Sequence, residues 1–172
     1  MHGKKGQGVF GTSFGVIFSI ILIVALIGVT IYAIAFFLNL SGCTNIGLFY
    51  DSLQDEIDRA WNSGIYSDTL GKIPMEELEK AGIEVICFGS LESSARPGPD
   101  EQNRTELKDA LFGNDDNLFL SPTNKACDGE LASYNIKHVQ IEEFFCVNVD
   151  KLDDVLLTKI ATDGRPKLSK RN

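Results

Sequence analysis

The sequence has no charged side chain between Gly6 and Tyr50, a run of 45 residues. All 24 acidic residues and 14 of the 16 basic ones come after it, from Asp51 onward, so that part carries a net charge of −10. A domain this acidic does not bind the phosphate backbone of nucleic acids. With only five prolines and no long biased run, the chain is also not a disordered one.

Histidine is equally scarce, with only His2 and His138 in the chain. Nucleophilic catalysis needs a base beside the nucleophile, and we interpret His138 as a half-exposed residue of a strand instead. The acidic run at 113–117 lacks the ligand spacing of an EF-hand, so we interpret it as a solvated turn rather than a Ca²⁺ site. The sequence therefore predicts no enzyme, no metal, no cofactor and no small-molecule substrate.

The long apolar run at 14–38 predicts a membrane-spanning helix. Its 25 residues make about 37 Å of helix, which is enough to cross a bilayer. A cleaved secretory signal would have a shorter apolar core and small residues at its end. Lys4 and Lys5 precede the helix, so the positive-inside rule predicts a cytoplasmic N-terminus. We expect a tail at 1–13, a helix in the lipid bilayer of the cell membrane at 14–40 and an extracellular domain at 41–172.

Beyond the membrane the pattern predicts a pilin-like α+β fold, in which the first helix continues to Asn62 and packs on a small antiparallel sheet. The expected core stripe is Ile46, Phe49, Tyr50, Leu53, Ile57, Ala60 and Trp61. Runs rich in β-branched and aromatic residues predict strands at 83–88, 117–120, 136–141, 144–149, 155–161 and 166–169. Short helices are expected at 74–81 and 103–112, a surface loop at 90–102, and a hairpin turn at 162–165.

The four cysteines all lie on the predicted outer side, where an even number favours disulfides. They are Cys43, Cys87, Cys127 and Cys146. Three pairings remain open, and we favour bonding the two that lie outside predicted strands, with the two strand cysteines as neighbours. Asn103 begins an N-glycosylation sequon in a polar stretch, whereas the sequon at Asn39 abuts the bilayer.

Lys4-Lys5-Gly6-Gln7 before a long apolar helix resembles the class III signal peptide of archaeal type IV pilins and archaellins. The resemblance implies cleavage between Gly6 and Gln7 by a membrane peptidase, and a long helix that carries a β-rich head. The chain is also similar to uncharacterised single-helix membrane proteins of archaea, on segments such as GLFYDSLQDEIDRAW, VICFG and FFCVN.

Two functions are compatible with these features. The first is a structural surface protein whose apolar helices self-associate into the core of a filament. The second is an uncleaved signal-anchor protein whose outer domain binds a partner or belongs to a membrane complex.

Overall fold

The computed structural model describes residues 9–73, 75–92, 100–111, 113 and 115–171. Two compact units, Met1–Asn39 and Leu40–Asn172, make up the chain. Helix α1 spans Val9–Asn62 and therefore contributes to both. It begins five residues before the expected Phe14, because no proline interrupts the glycine-rich start and each glycine costs a helix only about 1 kcal/mol.

The end of α1 at Asn62 is the one that the sequence predicts. Three groups satisfy the carbonyl oxygens that a helix end leaves without partners. The Asn62 side chain donates to the Asp58 carbonyl at 2.8 Å, and the Ser63 hydroxyl donates to the Arg59 carbonyl at 2.8 Å. The Ser63 backbone N–H donates to the Ala60 carbonyl at 3.2 Å.

The second unit adds short helices and strands to the outer part of α1, which is the part at 40–62. The part of α1 that belongs to the first unit is called the inner part. In chain order these are β1 (Tyr66–Thr69), α2 (Glu76–Ala81), β2 (Val85–Phe88), α3 (Glu101–Ala110), β3 (Leu118–Ser121), β4 (Ser133–Tyr134), β5 (Gln140–Ile141), β6 (Phe145–Asn148), β7 (Val155–Lys159) and β8 (Lys167–Lys170). Short 3-10 turns lie between several of them, the longest at Val149–Asp154.

These strands form two sheets, whereas the sequence predicts one antiparallel sheet. The first sheet has the order β1-β7-β8-β5 and is mixed, because β5 runs parallel to β8. The second has the order β4-β3-β2-β6 and is antiparallel throughout. Hence the α+β class is confirmed, while the single sheet is wrong.

The predicted strand at 136–141 is also wrong over most of its length. His138 lies in a bend with φ +63°, a left-handed conformation that interrupts an extended chain, and only Gln140–Ile141 pair as β5. In contrast, the hairpin around 162–165 is confirmed, since β7 and β8 pair antiparallel with Thr158 opposite Lys167.

The short helices are shifted relative to their predicted bounds. Helix α2 begins at Glu76 and ends before Gly82, whose φ of +80° closes the helix as expected. Helix α3 begins at Glu101, two residues before the predicted start, because the negative Glu101 suits the positive helix end and pairs with Arg104 at 2.7 Å.

The core of the second unit forms around the apolar stripe of α1. All the stripe residues except Trp61 are buried, and Trp61 is half-buried. They pack with buried side chains of both sheets, including Leu118, Leu157 and Leu168. A smaller cluster, composed of Cys87, Leu91, Leu107, Phe119 and Cys146, lies apart from this core.

Candidate functional site

The apolar part of α1 is the main described feature of the first unit. The helix is long and apolar enough to cross a membrane, and none of its most apolar stretch is buried in the protein. Large side chains such as Ile27 and Tyr32 are exposed on every side of it. A core helix of a soluble protein would bury these residues, so their burial has to come from outside the chain.

Two hydroxyl side chains of this segment are satisfied within the helix. The Ser19 hydroxyl donates to the Gly15 carbonyl at 2.8 Å, and the Thr30 hydroxyl donates to the Leu26 carbonyl at 2.8 Å. Hydroxyls that bond the carbonyl four residues earlier do not need water as a partner. These two hydroxyl groups can therefore enter a hydrocarbon layer with their hydrogen bonds already made.

Two disulfides stabilise the second unit. Cys43 bonds Cys127, with their Cα atoms 5.3 Å apart, and Cys87 bonds Cys146, with their Cα atoms 4.1 Å apart. The first is the non-strand pair that the sequence favours, and the second joins the two strand cysteines that it places as neighbours. Even numbers of bonded cysteines are typical of proteins outside the cytoplasm.

The Cys87–Cys146 bond follows from the register of β2 and β6, where the two residues face each other. Opposite residues of an antiparallel pair come closest where they do not exchange backbone hydrogen bonds. The backbone groups of Cys146 do point away from β2, because its N–H donates to Asp100 Oδ2 at 3.1 Å and its carbonyl accepts from Lys170 Nζ at 2.9 Å.

The side chains of Asp100 and Lys170 thereby bond the backbone groups of Cys146 on the free edge of β6, as a neighbouring strand would. The two side chains also approach each other, with Lys170 Nζ 3.9 Å from Asp100 Oδ2. Neither residue gives a signal in the sequence, because each bonds the backbone of a residue more than twenty positions away. This arrangement protects an edge strand from pairing with other chains.

A polar cleft of about 270 Å³ lies along this edge. Besides Asp100 and Lys170, its walls include Asn103, Asn148, Lys151 and Asp154. Two carboxylates, two ammonium groups and two amides give it both signs of charge. Such a cleft can hold a polar or zwitterionic group or an extended peptide, and its described walls contain no histidine, serine or cysteine thiol that would act as a nucleophile with its base.

Asn103, the predicted glycosylation site, lies on α3 and is half-buried against this cleft. The hydroxyl of Thr105, which completes the sequon, donates to the Glu101 carbonyl at 2.9 Å. Any glycan on Asn103 would therefore emerge beside the edge of β6.

His138 has a packing role on α1. Its Nδ1 lies 2.8 Å from Asp58 Oδ1, and its ring stacks on Trp61 with the ring centroids 5.1 Å apart. Gln54 bonds both backbone groups of the adjacent Lys137. Three side chains of one helix face, at 54, 58 and 61, thus hold the 137–138 bend in place.

Three tyrosines of the second unit have raised pKa values, and for Tyr134 the main cause is desolvation by burial. Burial raises the pKa of Tyr50, whose hydroxyl donates to the Leu131 carbonyl at 2.6 Å. Desolvation and a hydrogen bond to the buried Glu56 raise the pKa of Tyr66 to about 12. Arg59 pairs with the other oxygen of Glu56 at 2.6 Å, so this carboxylate links α1 to β1.

Some predicted features lie outside the described residues. These are the processing site at Gly6 and Gln7, the lysines before it, and His2. Asn114 of the acidic turn is outside them too, and the described part of the chain contains no group of three His, Cys, Asp or Glu side chains placed to hold a metal ion.

Comparisons with known proteins do not assign the chain to a family. No protein-family model matches it, and neither the search of curated proteins nor the search of solved structures finds a match.

Proposed function

We propose that this chain is a single-pass membrane protein of pilin-like organisation, which displays a disulfide-bonded head outside the cell and assembles through its apolar helix. In this proposal a membrane peptidase removes the leader between Gly6 and Gln7. The apolar parts of α1 then pass from lipid into contact with one another in a filament.

The observation that carries the proposal is the difference in burial between the two parts of α1, which is called the division of α1 below. The same helix that provides the core stripe of the head carries an uncharged stretch whose large side chains are exposed in the chain. An apolar surface of this extent needs a bilayer or further copies of the helix to cover it. Lipid and self-association are the two environments that a pilin-like subunit uses in turn.

The two disulfides support the outer location of the head, because cytoplasmic thiols are kept reduced. The lysines at 4 and 5 support the same orientation, since basic residues favour the cytoplasmic side.

Intact mass of the protein extracted from membranes tests the processing step. We expect a mature chain that begins at Gln7 and has no free thiol before reduction. A Gly6→Val variant should keep its leader, and a Gly3→Val variant, which changes a glycine on the other side of the lysine pair, should still lose it. A wild-type mass that includes Lys4 and Lys5 would contradict the pilin-like proposal.

The alternative is an uncleaved anchor whose head binds a partner, and the polar cleft beside β6 favours it. The mixed charge of Asp100, Asp154, Lys151 and Lys170 suits a polar group or an extended segment of another protein. An intact leader together with loss of partner binding in an Asp154→Ala variant would support this function over the first.

A further inference from the structure

One face of the first sheet is open, whereas its other face packs on the core. In β7 the buried Val155 and Leu157 alternate with Leu156 and Thr158, which are only half-buried. Successive side chains of a strand point to opposite faces, so Leu156 and Thr158 lie on the open side. The register places Ser67, Thr69, Lys167 and Ser169 beside them, and Gln140 beside Lys167. These seven residues, with the two isoleucines described next, are called the open face.

Ile65 and Ile160 extend the open face beyond the last paired residues. Tyr66 is opposite Lys159 in the register, and both side chains turn toward α1. The Tyr66 hydroxyl donates to Glu56, and Lys159 Nζ donates to the Trp61 carbonyl. The residues one position outward, Ile65 and Ile160, therefore point the other way. They are 74% and 57% exposed, and in the described part of the second unit the only other exposed large apolar residue is Leu48, at 54%.

The open face is also free of carboxylates, in a domain with 24 of them. None of its nine positions is Asp or Glu. Its one charge, Lys167, is paired with Glu142 at the rim, with Nζ 3.0 Å from Oε1. Two copies of a domain with net charge −10 repel each other, and this repulsion is weakest where two carboxylate-free surfaces meet.

We propose that the open face packs against the open face of a second copy of this chain. Sheet faces with aliphatic and threonine side chains stack about 10 Å apart, and one surface that contacts itself makes a two-fold contact. The partner that suits the surface is another copy, since the open face carries no net charge to attract an oppositely charged protein. Ile65, Leu156 and Ile160 would supply the apolar centre of the contact.

We expect the contact between two heads to be weak, because its area is small. Four strands about 4.8 Å apart, over some five residues of length, present roughly 300–400 Å² per copy. Stable protein interfaces bury about 800 Å² per partner, so free heads would remain monomeric. Copies that share one membrane or filament are held at high effective concentration, which makes such a contact populated. In this respect the inference rests on the proposed membrane anchoring.

Photo-crosslinking of the full-length protein in native membranes tests the contact. A benzophenone amino acid at position 158 lies in the centre of the open face, and the same group at the exposed Gln102 on α3 is the control. We expect a covalent dimer from position 158, whose linked peptides both come from the first sheet. No dimer, equal dimer from both positions, or links to other proteins would overturn the proposal.

Charge substitutions of equally exposed residues sharpen the test. Ile160→Glu should lower the dimer yield from position 158 by about tenfold, because two carboxylates would meet in the contact. Leu48→Glu, on α1, should leave it unchanged, and a loss in Leu48→Glu alone would assign the contact to α1 instead. Intact disulfides in both variants, read from non-reducing electrophoresis, show that the heads are folded.

Alkaline carbonate extraction separates failure of this inference from failure of the membrane proposal. Protein that leaves the membrane in carbonate contradicts the anchoring itself. If it stays in the membrane but yields no dimer at position 158, the anchoring stands and the head contact is refuted. The same crosslinking on the Gly6→Val variant shows whether the contact needs leader removal, and we expect that it does not.

Discussion

Both parts of α1 carry large apolar side chains, but these side chains are covered in one part and exposed in the other. In the outer part, Leu53 and Ile57 are fully buried beneath the sheets of the same chain. In the inner part, Ile27 and its neighbours are exposed on all sides of the helix. The apolar residues of the outer part form one stripe, and polar residues such as Asp51 and Asp55 lie on its exposed side.

This difference shows how one helix can serve two environments. A helix with one apolar stripe is stabilised by a single protein surface, whereas a helix that is apolar all round needs an apolar medium. The chain provides the protein surface for the outer part only. The predictions below break or sharpen this comparison, from the largest expected effect to the smallest.

Removing the bond between α1 and the Cys127 turn should have the largest effect. The Cys43→Ser, Cys127→Ser double variant loses a crosslink between residues 84 positions apart, which restricts the unfolded chain by about 4.5 kcal/mol. We expect the free energy of unfolding of the head to fall by that order in guanidinium titrations followed by Trp61 fluorescence. A loss below about 1 kcal/mol would show that the bond does not stabilise the head.

The same truncation in each part of α1 should have different results. Ile57→Ala leaves a cavity in the core and should lower the free energy of unfolding of the head by about 3.5 kcal/mol. Ile27→Ala should change it by less than about 0.5 kcal/mol, because Ile27 is exposed and is not one of the residues of the head core. The same titration measures both, and equal losses would contradict the division of α1.

A charge in the inner part should affect membrane insertion instead. Val24→Arg places a cation at the centre of the apolar stretch, at a cost of about 2.5–3.5 kcal/mol for insertion. We expect a smaller carbonate-resistant fraction and an unchanged unfolding transition of any head that is recovered. Asp55→Arg, on the exposed face of the outer part, is the matched control and should insert normally.

The contribution of Tyr66 at alkaline pH should be the smallest effect. The pKa of Tyr66 is raised to about 12, so the unfolded chain loses this proton near pH 10 while the folded head keeps it. The contribution of Tyr66 to stability is therefore complete below pH 10 and falls as the pH rises toward 12, by about 1 kcal/mol or less because Tyr66 is partly solvated. The contributions of Tyr50 and Tyr134, whose pKa values are also raised, fall in this range with or without Tyr66. Tyr66→Phe should reduce that slope in pH-dependent guanidinium titrations, and Tyr32→Phe should not.

Local patterns in the sequence predict the parts of the fold that depend on near neighbours. The stripe from Ile46 to Ala60 repeats with the helical period, and the 162–165 turn joins two strands that follow each other directly. Both are confirmed, because the relevant contacts lie within a few residues in the chain.

Features that depend on contacts between residues far apart in the sequence were not predicted. Strand β1, with the sequence YSDT, has no strand pattern of its own and forms because it pairs with β7 about ninety residues later. Asp100 and Lys170 meet at Cys146 from separate elements, so no spacing marks them. His138 sits in an alternating run that predicts a strand, yet its contacts with Asp58 and Trp61 hold it in a left-handed bend.

Amide hydrogen exchange of the full-length protein in bilayer nanodiscs, with increasing urea, tests the division of α1 most directly. The account predicts two protected stretches in one helix. Amides near Leu53 and Ile57 should lose protection together with the head as it unfolds, while those near Ile27 stay protected by the lipid. Loss of protection in both stretches at the same urea concentration, or no protection near Ile27 in the bilayer, would contradict it.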